Sequence, residues 1–285
     1  MNTLQDIRYG YRMLLKRPSF TLIVVLTLAL GISANTTIFS AIDAVLLNPL
    51  PYKDPQRLMV VWETNKQLGP EMWDRNEVTI GNFLDWRSRN QVFDQLGALF
   101  PTDMNLTGVG EPQRIKSCVV TTNFFQVLGV QPMLGRSFLP ESETPGSPFT
   151  MIISHDLWQR QFGSDPSVIN KSLTLNGHQV AVIGVMPPGF ELQFPTSNHV
   201  DLWVPFVIDA ADPDYHDRTT NFLYTLGRLK PGVSHEQAQS EMNLITAQLQ
   251  QQYPETNADK GVRVVPLHKQ LVGNVESYLY MLFAA

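Results

Sequence analysis

The stretch SFTLIVVLTLALGISANTTIFSAI, residues 19–42, contains 24 consecutive residues without a charged side chain. A membrane-spanning helix needs about 20 predominantly apolar residues, so this stretch is long enough to cross a bilayer. A cleaved signal peptide would end at the small residues 33–34, but the apolar pattern continues to residues 45–47. We therefore predict that residues 19–47 form a retained transmembrane helix that extends into a stalk.

The residues before this helix predict its orientation. Residues 1–17 hold four basic side chains and one acid, Asp6, a net charge of +3, which leaves −8 for the rest of the chain. The positive-inside rule then places the N-terminus in the cytoplasm and the bulk of the chain outside the membrane. Residues 1–18 also have a basic and an apolar face at helical spacing, which predicts an amphipathic helix in the membrane interface. The apolar face includes Leu4, Ile7, Tyr11 and Leu14.

Small and hydroxylated side chains recur along one side of the predicted transmembrane helix, at Ser33, Thr37 and Ser40. Helices in lipid associate through close packing and interhelical hydrogen bonds, so this side predicts a contact with another transmembrane helix. The alternative is that the hydroxyls bond back to their own helix.

After Glu276, the C-terminal residues 277–285 are mostly apolar and carry no charge. Nine residues are too few to cross a bilayer, and the two tyrosines at 278 and 280 suit a membrane interface. We predict that residues 276–285 begin a second transmembrane helix that the sequence does not complete. The chain would then be part of a longer polytopic protein. A buried C-terminal strand or helix is the alternative.

Between these ends, residues 52–272 have the pattern of a mixed domain of helices and strands. The predicted strands include residues 57–64, 221–229 and 261–267, and the predicted helices include residues 79–90 and 234–253. Residues 123–217 are richer in strand patterns, in Pro and in Gly, and Asn176-Gly177 is a strong hairpin signal. We predict an α+β extracytoplasmic domain in which residues 55–120 plus 218–270 form a porter-like β-α-β lobe. Residues 123–217 would form an inserted, strand-rich lobe.

Motifs for catalysis and nucleotide binding are missing from the sequence. No lysine follows a glycine, which excludes a P-loop, and there is neither a His-Glu-x-x-His nor a Gly-x-Ser-x-Gly motif. The single Cys118 excludes an internal disulfide and lies in a strand pattern, which predicts a buried side chain. The acidic segment 212–218 predicts a solvated loop, with a cation site as the alternative. We therefore predict a non-enzymatic protein that has no cofactor or metal. The negative charge of the body predicts no binding of nucleic acid.

Six runs of sequence resemble ABC-transporter permeases of the MacB/FtsX class. They are DIRYGYRMLLKRPSFTLIVVLTLALGISANTTIFSAIDAVLLNPLPYKDPQRLMVVWE, NFLDWRSRNQVFDQLGA, TTNFFQVLGVQPMLGRSF, SHDLWQRQFGSDPSVINKSLTLNG, VIGVMPPGF and RLKPGVSHEQAQSEMNLI. The resemblance covers essentially the whole chain. It implies a first transmembrane helix, a MacB-like periplasmic core domain with a porter-like and an inserted lobe, and then three further spans.

The resemblance also implies a function. The chain is expected to be a permease subunit of an ABC-type transport or efflux system in the cell inner membrane, with its main domain in the periplasm. ATP hydrolysis in a separate ABC ATPase subunit would move the stalk helix and the periplasmic domain, with Leu4, Ile7, Tyr11 and Leu14 in contact with the ATPase. The other expected partners are the lipid bilayer, a second permease copy and a periplasmic protein.

Two other classes of function remain open from the sequence. A single-pass, membrane-anchored extracytoplasmic sensor or binding module would have no need of a second span at residues 276–285. A secreted enzyme with a cleaved signal would begin near Asn35 and would need a convergent polar cleft, for which the sequence offers no candidate residues.

Overall fold

The structure is a computed structural model of the 285-residue chain, and it describes residues 18–42, 50–69, 74–195 and 199–273. The chain divides into two compact units, of which the larger, Leu50–Leu271, is called the body below. Among the described residues, no helix is both long enough and apolar enough to cross a membrane. The predicted interfacial helix up to residue 17, the stalk from residue 43 and residues 276–285 lie outside the described residues. The transmembrane helix at residues 19–47 therefore stays a prediction.

The described residues form seven α-helices, and all but the first lie in or end the body. They are α1 (Pro18–Ile42), α2 (Ile80–Arg89), α3 (Phe124–Leu128), α4 (His155–Phe162), α5 (His235–Gln252), α6 (Pro254–Asn257) and α7 (Leu267–Val272). Ser234 caps the N-terminus of helix α5, and its hydroxyl accepts a hydrogen bond from the Gln237 backbone amide. The Gln237 side-chain oxygen in turn accepts one from the Ser234 backbone amide. This reciprocal capping box satisfies two amides that a helix start otherwise leaves without partners.

The strands of the body form one continuous sheet of 11 strands. They are β1 (Leu58–Asn65), β2 (Val78–Thr79), β3 (Phe93–Thr107), β4 (Gln113–Val120), β5 (Leu134–Gly135), β6 (Thr150–Ile153), β7 (Ser172–Leu175), β8 (His178–Val185), β9 (Leu202–Pro205), β10 (Asn221–Leu229) and β11 (Lys260–Pro266). Their order is β11-β1-β10-β3-β4-β9-β6-β8-β5, and β2 pairs with β10.

Six of these strands close into a ring. Strand β3 pairs with β4, β4 with β9, β9 with β6, β6 with β8, β8 with β7, and β7 with the end of β3. Every strand of the ring contributes to one buried cluster, whose strand members are Leu106, Ile115, Met151, Ile153, Leu173, Leu175, Val180, Val182, Val185 and Leu202. Leu157 and Trp158 of α4 complete this cluster. The interior of the ring is thus filled by side chains, as in small β-barrels.

Three of the five strands outside the ring, β11, β1 and β10, extend the sheet from β3 in an antiparallel arrangement. Helices α2 and α5 cover one face of this part, with the fully buried Phe83, Trp86, Met242 and Leu249 between them. The pairing of β1 with β10 confirms the expectation that residues 57–64 and 221–229 lie in one sheet. Strands β3 and β4 fall within residues 55–120, the predicted outer lobe, but they also close the ring with strands of residues 123–217. The division into a lobe at 123–217 and another around it therefore stays a prediction.

Side chains of α5 cover the outer edge of β11. One side of β11 pairs with β1. On the other side, the Gln239 side-chain nitrogen donates to the Val262 carbonyl at 3.0 Å. The Gln239 side-chain oxygen accepts from the Val264 backbone amide at 2.8 Å. The His235 imidazole Nε2 lies 2.7 Å from the Val264 carbonyl oxygen. A carboxamide has one donor and one acceptor side, so Gln239 replaces the peptide group of a neighbouring strand.

Candidate functional site

The chain enters and leaves the body at the same apolar cluster. Leu50 and Leu271, the first and last residues of the body, both pack against this buried cluster, and Tyr52 and Leu267 lie within it. The name neck cluster is used below for eight residues, seven from this cluster and its borders and Gln270, which is hydrogen-bonded to it. They are Leu50, Tyr52, Trp62, Phe194, Tyr224, Leu267, Gln270 and Leu271.

Three aromatic rings form the centre of the neck cluster. Trp62 of β1 lies with its ring centroid 5.5 Å from that of Phe194, and Phe194 lies 5.7 Å from Tyr224 of β10. Both pairs are edge to face, an arrangement favoured by the quadrupoles of the rings. The Trp62 indole donates to the Gln270 side-chain oxygen at 3.1 Å. The cluster therefore connects the paired strands β1 and β10 to α7, the helix through which the chain leaves the body.

The Tyr52 hydroxyl connects the incoming segment, residues 50–52, to the loop of residues 187–195. It donates to the Glu191 carbonyl at 3.2 Å and accepts from the Gln193 amide at 3.2 Å. Burial raises the pKa of Tyr52 to about 12, although the hydrogen bond from Gln193 acts in the opposite direction. The hydroxyl consequently keeps its proton, and its donor function, at physiological pH.

A polar network leads from the neck cluster into the body. The Tyr224 hydroxyl donates to the Glu77 carboxylate at 2.9 Å. Burial first, and the Glu77 carboxylate second, raise the pKa of Tyr224 to about 12. The Asn221 side chain then donates both to the Glu77 carbonyl at 2.5 Å and to the Glu63 carboxylate at 2.9 Å. The network thus joins β10 and β1 to Glu77, the residue that precedes β2.

A buried ion pair lies at the centre of this network. Glu63 is fully buried, and its Oε1 lies 2.5 Å from the Lys260 ammonium. The ammonium also donates to the Arg218 carbonyl at 2.6 Å, and the Asn82 amide donates to the other oxygen of Glu63 at 2.7 Å. A buried charge is tolerated only when it is paired and hydrogen-bonded, and both charges here meet that condition.

Arg218 forms the end of the network. Its guanidinium donates to the Asn82 side-chain oxygen at 2.6 Å and to the Asp85 carboxylate at 2.5 Å, and it stacks on the Tyr253 ring at 3.8 Å from the centroid. A cavity of about 460 Å³ lies beside it. The guanidinium thus has its partners within the chain. Through Asn82 and Asp85, Arg218 connects α2 to the segment before β10.

The site residues predicted from the sequence all belong to residues 4–40 of the chain. Leu4, Ile7, Tyr11 and Leu14 lie outside the described residues. Ser33, Thr37 and Ser40 lie in α1, where Ser33 is exposed. The predicted contacts of both groups, with an ATPase and with another helix, stay predictions. The neck cluster was missed because its members are distant in sequence: Trp62 and Gln270, for example, are 208 positions apart.

The two candidate chemical groups of the sequence have structural surroundings. Cys118 is fully buried, as predicted, and burial raises the pKa of its thiol to about 12. The acidic segment forms a short 3-10 helix, Pro213–His216, capped by the Asp212 carboxylate. Within the ranges that the structure describes, no group of three or more His, Cys, Asp or Glu side chains is arranged to hold a metal ion.

A family model described as the MacB-like periplasmic core domain matches residues 21–245 of this chain. No curated protein is similar enough to this chain to match it.

Three solved structures share the fold at low sequence identity. A domain of a proposed permease protein from Porphyromonas gingivalis has a TM-score of 0.56 at 16% identity and covers 76% of this chain and 93% of its own. The periplasmic region of MacB from Actinobacillus actinomycetemcomitans has a TM-score of 0.53 at 15% identity and covers 78% and 94%. The extracellular domain of the noncanonic ABC-type transporter YknZ from Gram-positive bacteria has a TM-score of 0.51 at 18% identity and covers 72% and 99%.

Proposed function

This chain belongs to the family of MacB-like periplasmic core domains, and we propose that it is a permease subunit of an ABC-type transport or efflux system. In this proposal a separate ABC ATPase hydrolyses ATP in the cytoplasm, and the chain converts that reaction into motion of its body outside the membrane. The family match, and neighbours described as parts of permeases and ABC-type transporters, support this assignment. The chain itself has no catalytic role and needs no cofactor.

The observation that carries the proposal is the neck cluster. Leu50 and Leu271, the two ends of the body, both pack against the buried cluster to which the neck residues belong, which supports a role for this cluster in passing motion to the body. Trp62 lies in β1 and Tyr224 in β10, two paired strands of the sheet, and a displacement at the neck therefore reaches the sheet directly. Two positions of the neck would correspond to two states of the ATPase, whose nucleotide binding shifts the population between them.

We further propose that residues 19–47 anchor the chain in the inner membrane, with the N-terminus in the cytoplasm. Residues 19–42 carry no charge, and large apolar side chains of α1 such as Leu22, Ile23 and Leu30 are exposed. Side chains of this kind in such number require a covering other than water. Residues 1–18 would contact the ATPase. Ser33, Thr37 and Ser40 would pack against another transmembrane helix, including that of a second permease copy.

The location of the body can be tested with single cysteines in intact cells. Glu111 is exposed in the turn between β3 and β4, whereas Gln5 precedes α1. We expect a membrane-impermeant maleimide to label Glu111→Cys in intact cells and to label Gln5→Cys only after lysis. The native Cys118 is fully buried and gives little background. Protection of Glu111→Cys in intact cells, with labelling after lysis, would contradict an extracytoplasmic body.

The coupling can be tested after reconstitution of the chain with a candidate ABC ATPase subunit. Spin labels at Lys53 and Lys269, two exposed positions beside the neck cluster, report its geometry. We expect their distance distribution to differ between the nucleotide-free and the ATP–vanadate states. A control pair at Glu111 and Asn170, on the ring, should keep one distance. An unchanged neck distance in a complex that hydrolyses ATP would refute the proposed coupling.

A further inference from the structure

An apolar groove opens on the body between the start of α2, the segment that follows β9 and the start of β10. It has a volume of about 240 Å³, and each of the three segments contributes apolar side chains to its lining. These side chains are Ile80, Phe206, Val207, Ile208 and Phe222. Val207 exposes 39% of its surface, and Phe206 and Phe222 are half-buried. Contiguous apolar surface that a fold leaves exposed is a mark of a binding site.

Three phenylalanine rings support the apolar side of the groove. Phe100 of β3 packs edge to face against Phe206, with ring centroids 5.6 Å apart, and against Phe222 at 5.3 Å. Phe206 and Phe222 are themselves 6.5 Å apart. All three rings pack against the buried cluster that includes Trp86 and Met242. This side of the groove is therefore preformed, as the walls of ligand sites usually are.

Four carboxylates complete the lining of the groove. They belong to Asp209, Asp212, Asp214 and Asp217, and the other two lining residues are Tyr215 and Thr220. Among the lining residues that the structure describes, no Lys, Arg or His offsets this charge. A cleft that combines one sign of charge with apolar walls concentrates its electrostatic potential, so this groove attracts cations.

Hydrogen bonds keep these carboxylates in place and ionised. The Asp212 carboxylate accepts from the Asp214 backbone amide at 2.9 Å. Burial raises the pKa of Asp217, but hydrogen bonds from Thr219 and Thr220 outweigh this effect and hold the pKa well below its usual range. The charge of the groove therefore persists at physiological pH.

We propose that this groove binds a small organic cation, in which an ammonium group stands next to one ring or short alkyl group. The phenylalanines would hold the apolar part, and the carboxylates and the faces of the rings would hold the charge. The volume of about 240 Å³ lies below the range of about 300–1,000 Å³ that drug-sized ligands occupy, so a single ring is the size that fits. The groove lies within the body, and the inference goes beyond the proposed function and does not depend on it.

The site can be tested with two small probes of opposite charge. The full chain in detergent is titrated with benzyltrimethylammonium, and binding is followed by saturation-transfer NMR. Benzenesulfonate is the matched probe, because it has a ring of the same size and a negative charge. We expect benzyltrimethylammonium to bind with a Kd of about 1 mM, in keeping with its few atoms. Benzenesulfonate should bind at least about tenfold more weakly, because the carboxylates repel it.

Two variants separate the apolar and the charged contributions. Phe222→Ala removes one ring of the groove, whereas Asp209→Asn combined with Asp214→Asn removes two charges and keeps the shape of the side chains. We expect each variant to raise the Kd of benzyltrimethylammonium about fivefold. The control combines Glu111→Gln with Glu255→Gln, which removes two exposed charges outside the groove and should keep the parent Kd.

Equal affinity for the two probes, or no measurable binding of benzyltrimethylammonium, would overturn the cation site. An unchanged Kd in the double aspartate variant, or an equal rise in the control, would overturn it as well, because the charge of the groove would then be irrelevant. Binding of the tripeptide Lys-Phe-Lys without binding of benzyltrimethylammonium would make the groove a docking point for a partner protein instead. The assay contains no ATPase, so a negative result leaves the coupling proposal intact.

Discussion

Replacing Lys260 by methionine is expected to destabilise the chain by about 3–5 kcal/mol, because the Glu63 carboxylate then remains buried without a cationic partner. The two side chains are among the most buried charges of the body, and their atoms lie 2.5 Å apart. The same change removes the hydrogen bond from the ammonium to the Arg218 carbonyl, which ties the segment before β10 to β11. The measurement is the free energy of unfolding of the full chain in detergent, followed by tryptophan fluorescence.

Two further variants separate the loss of the ion pair from the loss of a lysine. Lys269→Met makes the same change at an exposed position of α7 and should alter the free energy of unfolding by less than about 0.5 kcal/mol. Glu63→Gln, added to Lys260→Met, should restore part of the loss because it removes the uncompensated charge. Equal stability of Lys260→Met and Lys269→Met, or no recovery in the double variant, would show that the pair is unimportant for stability.

Gly135→Ala is expected to destabilise the chain by about 2–6 kcal/mol. Gly135 has a φ of 78°, in the left-handed region, and a Cβ at this position would lie 2.1 Å from the Ile183 carbonyl oxygen. That oxygen belongs to the backbone of β8, with which β5 pairs, so it cannot move aside without loss of the pairing. Left-handed strain contributes about 1–3 kcal/mol and the steric overlap about 1–3 kcal/mol more.

Gly146→Ala is the matched control for this prediction. Gly146 has a φ of 81°, but a Cβ there would meet nothing within 4 Å. The substitution should therefore cost only the backbone strain, about 1–2 kcal/mol, in the same unfolding measurement. Equal losses at Gly135 and Gly146 would mean that the approach of the β8 carbonyl is not what requires glycine.

The features of this fold that follow from neighbouring residues were predictable from the sequence. The capping box of α5 needs only Ser234 and Gln237, three positions apart. The turn between β7 and β8 needs only Asn176 and Gly177, which both have positive φ as the hairpin signal requires. The burial of Cys118 follows from its place in an apolar strand pattern.

Strand β3 shows where local reasoning fails. By itself the residue pattern indicates a strand only at residues 104–108, whereas β3 begins at Phe93 and has 15 residues. Pro101 and Asp103 belong to types that are depleted in strands, and they conceal the continuity of the pattern. The strand persists because its neighbours β10, β4 and β7 pair along it, and those pairings join residues far apart in sequence.

The neck cluster and the buried ion pair were not predictable for a related reason. Glu63 lies near the end of β1, and Lys260 is the first residue of β11. Charged residues are rarely buried unless they are paired, so each of the two alone suggests a surface position. Only the pairing of β1 with β11 brings them together, across almost the whole length of the body. The residues that were predicted as sites instead belong to segments with a periodic local pattern, which is the signal that a single sequence displays best.

The side-chain cover on β11 has a consequence for many copies of the chain at high density. An uncovered edge strand is a template on which strands of neighbouring molecules add, and growth from such edges leads to aggregation. At this edge the backbone groups of Val262 and Val264 are already occupied by Gln239 and His235 of α5, which is anchored by its own buried side chains. Crowded copies therefore meet at this edge through helix surfaces, and their sheets stay separate.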